Sequence, residues 1–284
     1  MHHEQNRNAE AALREKERGL VLWLRAHGSA LIGFSGGVDS AYLACVAVDA
    51  LGSANVLAVI GKSASFPEAQ WAAARDVARR FAVPVLEVDT DELADPRYAA
   101  NPTNRCYFCK SELWSRLAPL ARDRGLACVV DGSNADDLSD YRPGARAAAE
   151  WGVLSPLAEL GFTKAEIREL SRLRGLPTWR QPSAPCLSSR IPYGTAVTPA
   201  RLRRVEAAEA ALRALGIEGD LRVRYHGDLA RVELPAGDVG RWLAPEAAAR
   251  LRAAVAGAGF SRVALDLRGF RSGSLNVLHG VSAA

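Results

Sequence analysis

No apolar run in this chain approaches the roughly 20 residues that a membrane-spanning helix needs, which excludes a helical membrane protein. Met1 to Arg18 are polar and charged, without the apolar core of a secretion signal, so a cytoplasmic protein is expected. There is no internal repeat and no low-complexity tract. Neither sign of charge dominates. The 36 Lys and Arg against 32 Asp and Glu leave +4, which suits an anionic small substrate as well as RNA and decides neither. Cysteine is scarce: Cys45, Cys106, Cys109, Cys128 and Cys186 are the only five. With no export signal they are expected to be free, metal-binding or catalytic rather than a disulfide framework. What remains is ordinary for a soluble chain: 284 residues, 49% hydrophobic and 24% charged, enough for one large or two modest domains with a sizeable core.

The stretch Leu31-Ile32-Gly33-Phe34-Ser35-Gly36-Gly37-Val38-Asp39-Ser40 carries the first chemical signal. An apolar run ends in a Ser-Gly-Gly turn, and a helix-compatible stretch, Ala41 to Ala50, follows. A buried strand is expected to stop there, turn sharply and give way to a helix. Gly36 and Gly37 open backbone angles closed to other residues and let a ligand approach the main chain. The N–H groups at the helix start favour an anion. Ser35 and Ser40 add hydroxyls, and Asp39 is placed to cap the helix or hold a cation; an ordinary Ser/Asp-capped turn is the plain alternative. The Ser35–Ser40 run resembles the pyrophosphate-binding loop of the ATP pyrophosphatases, which include GMP, NAD and asparagine synthetases and the tRNA thiolases. No Gly-Lys-Ser/Thr follows the glycines, so it is not a Walker loop.

Along the chain, Glu10–Ala26 has helical spacing, Asn55–Ile60 and Val83–Val88 read as buried strands, and Pro67–Phe81 as a helix. Asp95–Arg105, with two prolines, reads as a loop ending at Cys106-Tyr107-Phe108-Cys109-Lys110, with a helix over Ser111–Arg124. Ala127–Asp131 is a fourth strand, and Val153–Leu157 a short fifth. A Thr-x-x-Glu capping box (Thr163, Glu166) opens a helix to Arg174. The expected fold is α/β: a Rossmann-like parallel sheet with helices on both faces, of the adenine nucleotide α-hydrolase type, plus a smaller C-terminal α+β domain. Ligands gather at the carboxyl ends of such strands. That places the acidic loop Asp131-Gly132-Ser133-Asn134-Ala135-Asp136-Asp137 beside Ser35–Ser40, where Asp131, Asn134 and Asp137 suit a role next to ATP and Mg²⁺; the plain alternative is a solvated, capped turn. Leu176–Gly194, with four prolines, reads as the join. Residues 1–180 are expected as the nucleotide domain, 181–194 as a linker loop carrying Cys186, and 195–284 as the substrate-binding and oligomerisation domain. In the last, a helix over Thr198–Leu215 precedes a hairpin, Leu221–Tyr225 and Arg231–Leu234, then a helix over Pro245–Ala258 and a strand over Arg262–Leu267.

The pair Cys106/Cys109 can point two thiolates at one metal centre. Zinc wants four ligands, and there is no second pair, nor do His27, His226 and His279 stand at zinc-finger spacing. A redox dithiol belongs at a helix start in a thioredoxin-like fold, which this chain does not resemble. Three thiolates would suit a 4Fe-4S cluster, with Cys186 the natural third ligand if the fold brings it near. Cys186, flanked by prolines and close to Arg190, has some claim to thiolate character. Incidental core and loop cysteines are the plain alternative.

Taken together, Ser35–Ser40, Asn104-Arg105-Cys106-Tyr107, Asp131–Asn134 with Asp137, Tyr141-Arg142-Pro143-Gly144, Cys186–Gly194, Arg222–Asp228 and Leu265–Leu267 before Gly269 resemble the LarE family over nearly the whole chain. These are ATP-dependent sulfur transferases that make the nickel-pincer nucleotide of lactate racemase. The resemblance implies adenylation of a carboxylate of pyridinium-3,5-biscarboxylic acid mononucleotide, with pyrophosphate leaving from the Ser35–Ser40 loop. A sulfur nucleophile then displaces AMP. In the simplest members the cysteine matching Cys186 gives up its sulfur and becomes dehydroalanine. Three-cysteine members look like users of a 4Fe-4S cluster, whose open iron carries an extra sulfide, which favours Cys106, Cys109 and Cys186 as ligands. The resemblance also assigns Arg190 to the nucleotide site and Arg222 and Arg224 to the substrate phosphate, with Glu233 ordering them or binding metal. Two guanidinium forks on alternate strand residues suit a phosphate. A homo-oligomer built through the C-terminal domain is implied. The competing reading is a tRNA-thiolating ATP pyrophosphatase with a cluster; against it, the basic residues are spread rather than gathered as an RNA footprint.

Overall fold

Short runs rich in Val, Ile and Leu, each ending in a turn, make four parallel strands. The computed structural model describes residues 2–139, 143–182 and 185–271; Tyr141, Arg142 and His279 lie outside them. The elements are α1 (His2–His27), β1 (Ala30–Gly33), α2 (Val38–Leu51), β2 (Val56–Lys62), α3 (Glu68–Arg80), β3 (Val85–Asp89), α4 (Pro96–Ala99), α5 (Arg105–Asp123), β4 (Cys128–Val130), α6 (Pro143–Glu150), α7 (Pro156–Glu159) and α8 (Lys164–Leu173). The C-terminal part adds α9 (Pro199–Ala214), β5 (Arg222–His226), β6 (Leu229–Glu233), α10 (Val239–Leu243), α11 (Pro245–Gly257) and β7 (Arg262–Leu265).

The first sheet has the order β3-β2-β1-β4, all parallel. Successive strands run outward from β1 on one side, and the chain then crosses back to place β4 on the other. The order therefore reverses at β1, which makes its carboxyl end the switch point where such sheets bind ligands. Residues alternate between faces: Ala30 and Ile32 pack with α1, α2 and α8, whereas Leu31 packs with Trp114 and Leu117 of α5. Both faces are covered, as buried parallel strands require. The second sheet has the order β5-β6-β7, with β5 antiparallel and β7 parallel to β6. Its core takes in Tyr98, Leu187 and Ile191. The segment around Cys186 is thus packed against the C-terminal sheet rather than hanging free.

The sequence expectation and the structure part at a few points. α1 begins at His2, well before Glu10, because Glu, Gln, Ala and Arg are good helix formers even where no apolar stripe demands burial. The stretch Val153–Leu157 yields one bridge, Leu154 to Val130, instead of a strand. Cys106 and Cys109 are not in a loop before a helix but in the first turns of α5, which starts at Arg105. The capping box is present in full: Glu166 N donates to Thr163 Oγ1 at 3.3 Å and Thr163 N to Glu166 Oε2 at 2.7 Å. Thr163→Ala is expected to lower stability by about 1 kcal/mol, read as a shift of the urea midpoint at unchanged slope.

Candidate active site

The turn after β1 is drawn tight by its own hydroxyls. Ser35 Oγ and Ser40 Oγ lie 3.1 Å apart, and Ser40 Oγ reaches Gly37 O at 3.3 Å. Gly37 N leans on Ser35 Oγ at 3.4 Å, and Gln70 of α3 donates to Ser35 O at 3.1 Å. Only one of the two glycines needs its freedom. Gly36 has φ +69°, whereas Gly37, the N-cap of α2, sits at φ −72°. No side chain caps the helix start, leaving its first N–H groups toward the mouth of the turn.

The loop after β4 closes the other wall. At Gly132 a Cβ would stand 2.9 Å from Ser40 N, so this loop lies directly on the first turn of α2. Asp131 is engaged locally, accepting from Ser133 N at 3.0 Å and Ser155 Oγ at 2.8 Å. Asn134 is buried, and its backbone N–H donates to Asp137 Oδ2 at 3.1 Å. Asp39 pairs with Lys164 at the start of α8, while its other oxygen, Oδ1, is buried without a hydrogen-bond partner. Lys164 is a site residue that sequence reasoning passed over, since it reads only as a helix-start residue beside its cap.

One cavity of about 480 Å³ joins this cradle to the thiols. Ser35, Asp39, Ser40, Asp131 and Asp137 line one part of it, and Cys106, Cys109 and Cys186 line another. Gly33 and Trp114 form part of its floor, where a Cβ on Gly33 would meet the Trp114 ring at 2.6 Å. Gly36, Gly37, Asn134, Arg190, Arg222, Arg224 and Glu233 are not part of its lining. Cys106 and Cys109, three apart on α5, share a helix face. Cys186 stands at the start of a short 3₁₀ turn, Leu187–Arg190, held by Leu187 N on Ser65 O at 2.8 Å. Sequence reasoning also missed the polar wall between them. Glu92 is 2% exposed and accepts from two hydroxyls, Ser65 Oγ at 2.5 Å and Thr90 Oγ1 at 3.2 Å; Tyr98 Oη lies 2.6 Å from Ser188 Oγ. Nothing in the local sequence marks these residues, because Ser65 meets Glu92, and Ser188 meets Tyr98, only through the fold. Among the described residues, no group of three or more His, Cys, Asp and Glu side chains is disposed to hold a single metal ion.

Burial raises the Cys109 thiol, Glu92 adds to the rise, and Lys110 opposes it. Cys45, on the buried face of α2, is pushed up to about 12 by burial. A thiol titrating near 12 is thiolate in only about one molecule in 10⁴ at pH 8. In metal-free native protein at pH 8, exposed Cys106 is therefore expected to be alkylated first. Cys45 should react only on unfolding or as the pH climbs toward 12, a course that peptide mass mapping against pH would follow.

The remaining predicted residues form a buried cluster under the Cys186 turn. Arg190 pairs with both oxygens of Glu209 (2.9 and 3.0 Å) and donates to Pro185 O at 2.6 Å and Cys186 O at 3.1 Å. Arg224 places Nε and Nη2 on Glu233 Oε2 at 2.9 and 2.8 Å and Nη1 on Ser189 O at 3.0 Å. Arg222 stacks on Phe270 at 4.8 Å, and burial, helped by Arg190, lowers its pKa to about 10. These residues tie the Cys186 turn to β5 and β6.

Loop, parallel sheet and cavity define the class, an ATP-using enzyme of the pyrophosphate-loop type. A family model described as NAD synthase matches residues 21–117. The chain is 38% identical to a pyridinium-3,5-bisthiocarboxylic acid mononucleotide synthase of Lactiplantibacillus plantarum, over 94% of this chain and 95% of that one. It is 47% identical to an uncharacterized protein of Synechocystis sp., over 87% of this chain and 91% of that one. An NH(3)-dependent NAD(+) synthetase of Methanococcoides burtonii is 29% identical over 52% of this chain and 57% of its own. The chain belongs to the LarE family.

Proposed function

We propose that the protein is an ATP-dependent sulfur transferase that converts a carboxylate of pyridinium-3,5-biscarboxylic acid mononucleotide to a thiocarboxylate. The observation that carries this reading is the shared cavity, lined by the Ser35–Ser40 cradle and by three thiols. A substrate carboxylate oxygen attacks the α-phosphorus of ATP, and pyrophosphate leaves into the cradle of hydroxyls and helix N–H groups. The product is an acyl phosphate with AMP as leaving group. In the self-consuming route, Cys186 Sγ attacks the acyl carbon and AMP departs. The thioester then loses the Cα proton of residue 186, the Cβ–S bond breaks toward sulfur, and dehydroalanine remains in the chain.

Mg²⁺ fits the acidic wall, since the buried Asp39 Oδ1 lacks a donor; Asp39, with Asp131 or Asp137, would hold it to neutralise the polyphosphate. Lys164 adds a second positive charge there. The thiols fit a 4Fe-4S cluster better than a single ion, because a cluster binds each thiolate to a different iron and spreads them over one cavity. Cys106, Cys109 and Cys186 would be its ligands, and when bound it supplies an open iron able to carry an extra sulfide. Arg222 and Arg224 take the role of holding the substrate phosphate, with Glu233 ordering them; a phosphate dianion would relieve the mutual repulsion of Arg222 and Arg190. Arg190 fixes the Cys186 turn beside the nucleotide.

In this reading residues 1–180 form the nucleotide domain, 181–194 the sulfur-bearing linker and 195–284 the substrate-binding unit through which a cytoplasmic homo-oligomer assembles. The test is incubation of anaerobically prepared protein with ATP, Mg²⁺ and the biscarboxylate nucleotide. Nucleotide-dependent AMP and a product with one oxygen replaced by sulfur are expected. ATP binding without AMP formation would sink the reading.

A further inference from the structure

Asn101 is 0% exposed, yet it is one of two non-glycine residues in the left-handed region among the described residues, at φ +57°. Asparagine tolerates that conformation better than most side chains, but a buried instance persists only where its surroundings hold it. Here they do. Its Nδ2 donates to Pro192 O at 2.8 Å, Thr195 O at 3.0 Å and Ile191 O at 3.3 Å. Its Oδ1 accepts from Arg105 Nη1 at 2.6 Å, and its own carbonyl accepts from Gly194 N at 2.9 Å. Arg105 is the first residue of α5, directly before Cys106, and lies 5.0 Å from the Tyr193 ring.

Every polar atom of this one amide therefore joins the start of the Cys106/Cys109 helix to the segment that leaves Cys186. We propose that Asn101 is a positioning residue that sets the register of Cys186 against Cys106 and Cys109. The use of the three thiols in sulfur transfer rests on the function proposed above; the register itself does not. With the amide removed, the carbonyls of 191, 192 and 195 and the Arg105 guanidinium lose their common partner. The two segments then keep the links that do not pass through the amide, among them Tyr98 Oη to Ser188 Oγ, Val197 N to Ala99 O and the backbone bond of Gly194 N to Asn101 O, while Leu187 N stays on Ser65 O.

The test uses the full-length, reduced, metal-free protein and a short bifunctional thiol reagent, with cross-linked peptides mapped by mass. Asn101→Gly keeps the left-handed backbone and removes the amide; Asn101→Asp keeps the size and turns a carboxylate on three carbonyls. Wild type should join Cys186 to Cys106 or Cys109, and both variants should do so about tenfold less or worse. Iron, sulfide and charge-transfer absorbance after anaerobic reconstitution should fall in parallel, while ATP affinity stays within about twofold of wild type. Wild-type cross-linking in either folded variant overturns the proposal. So does joint loss of ATP binding and cross-linking in both, which would assign Asn101 to the fold as a whole. A wild type that loads no iron, with cross-linking still lost in the variants, would remove the cluster and leave the register standing.

Discussion

Cys186→Ala protein is expected to bind ATP like wild type and to form thiocarboxylate at least about 10³-fold more slowly, the scale on which loss of a nucleophile registers. The substitution is mild for the fold. Cys186 is half-buried, its side chain caps nothing, and its turn is held through backbone and neighbours: Arg190 on Cys186 O, Leu187 N on Ser65 O, Arg224 on Ser189 O. Melting within a few degrees of wild type is therefore expected, so a loss of transfer reports chemistry. AMP formation should persist at a slow rate, because the acyl phosphate still forms and water can take it. Cys106→Ala separates the routes. If sulfur comes from Cys186 itself, this variant still completes one turnover and leaves dehydroalanine at position 186, seen as the loss of one sulfur by mass. If sulfur arrives on a cluster, it loses transfer, iron and colour together. Full, repeated transfer by Cys186→Ala would refute both.

Much of this site is legible before any coordinates. The Ser-Gly-Gly-Val-Asp-Ser run is legible because a phosphate turn needs small residues, hydroxyls and a helix start in adjacent positions, so its chemistry is contiguous in sequence. The order of strands and helices likewise gives the parallel sheet, since period and turn residues are local properties. Lys164, Glu92, Ser65 and Asn101 are illegible for the opposite reason. Each has a partner far along the chain, 125 residues for Lys164 and Asp39, 90 for Asn101 and Ile191 and 27 for Ser65 and Glu92, and no local pattern encodes such a meeting. The arginines fall between. Arg222 and Arg224 show their shared strand face through alternation, but not that Arg224 is clamped between Glu233 and the Cys186 turn. From sequence the cysteine pair reads as the end of a loop, because Pro102 and the polar residues around it break helical periodicity. The helix in fact begins at Arg105, where Asn101 and the Tyr193 ring hold the guanidinium.

Gly36→Ala and Gly37→Ala are expected to differ sharply, although the sequence presents the two glycines as equivalent. At Gly36 a Cβ would stand 2.4 Å from Ala74 Cβ and 2.6 Å from Ala74 Cα, and a backbone atom of α3 cannot swing aside. Its φ of +69° adds about 1 kcal/mol for any side chain, and the overlap about 1–3 kcal/mol more. Against a total of roughly 5–15 kcal/mol the protein still folds, but the turn and α3 must separate. That moves the Gln70 bond to Ser35 O and, with it, the donors meant for pyrophosphate. A shift of about 1 Å in such donors costs on the order of 100-fold in rate, so ATP-dependent AMP formation should fall to that degree along with a lower urea midpoint. At Gly37 φ is −72° and the nearest atom to a Cβ, Ser35 Oγ, is 3.4 Å away in ordinary contact. Its alanine variant should keep the wild-type urea midpoint, and any loss it shows in ATP affinity would report close approach of the polyphosphate to the main chain. Equal urea midpoints for the two variants would mean that α3 does not press on the cradle as the geometry requires.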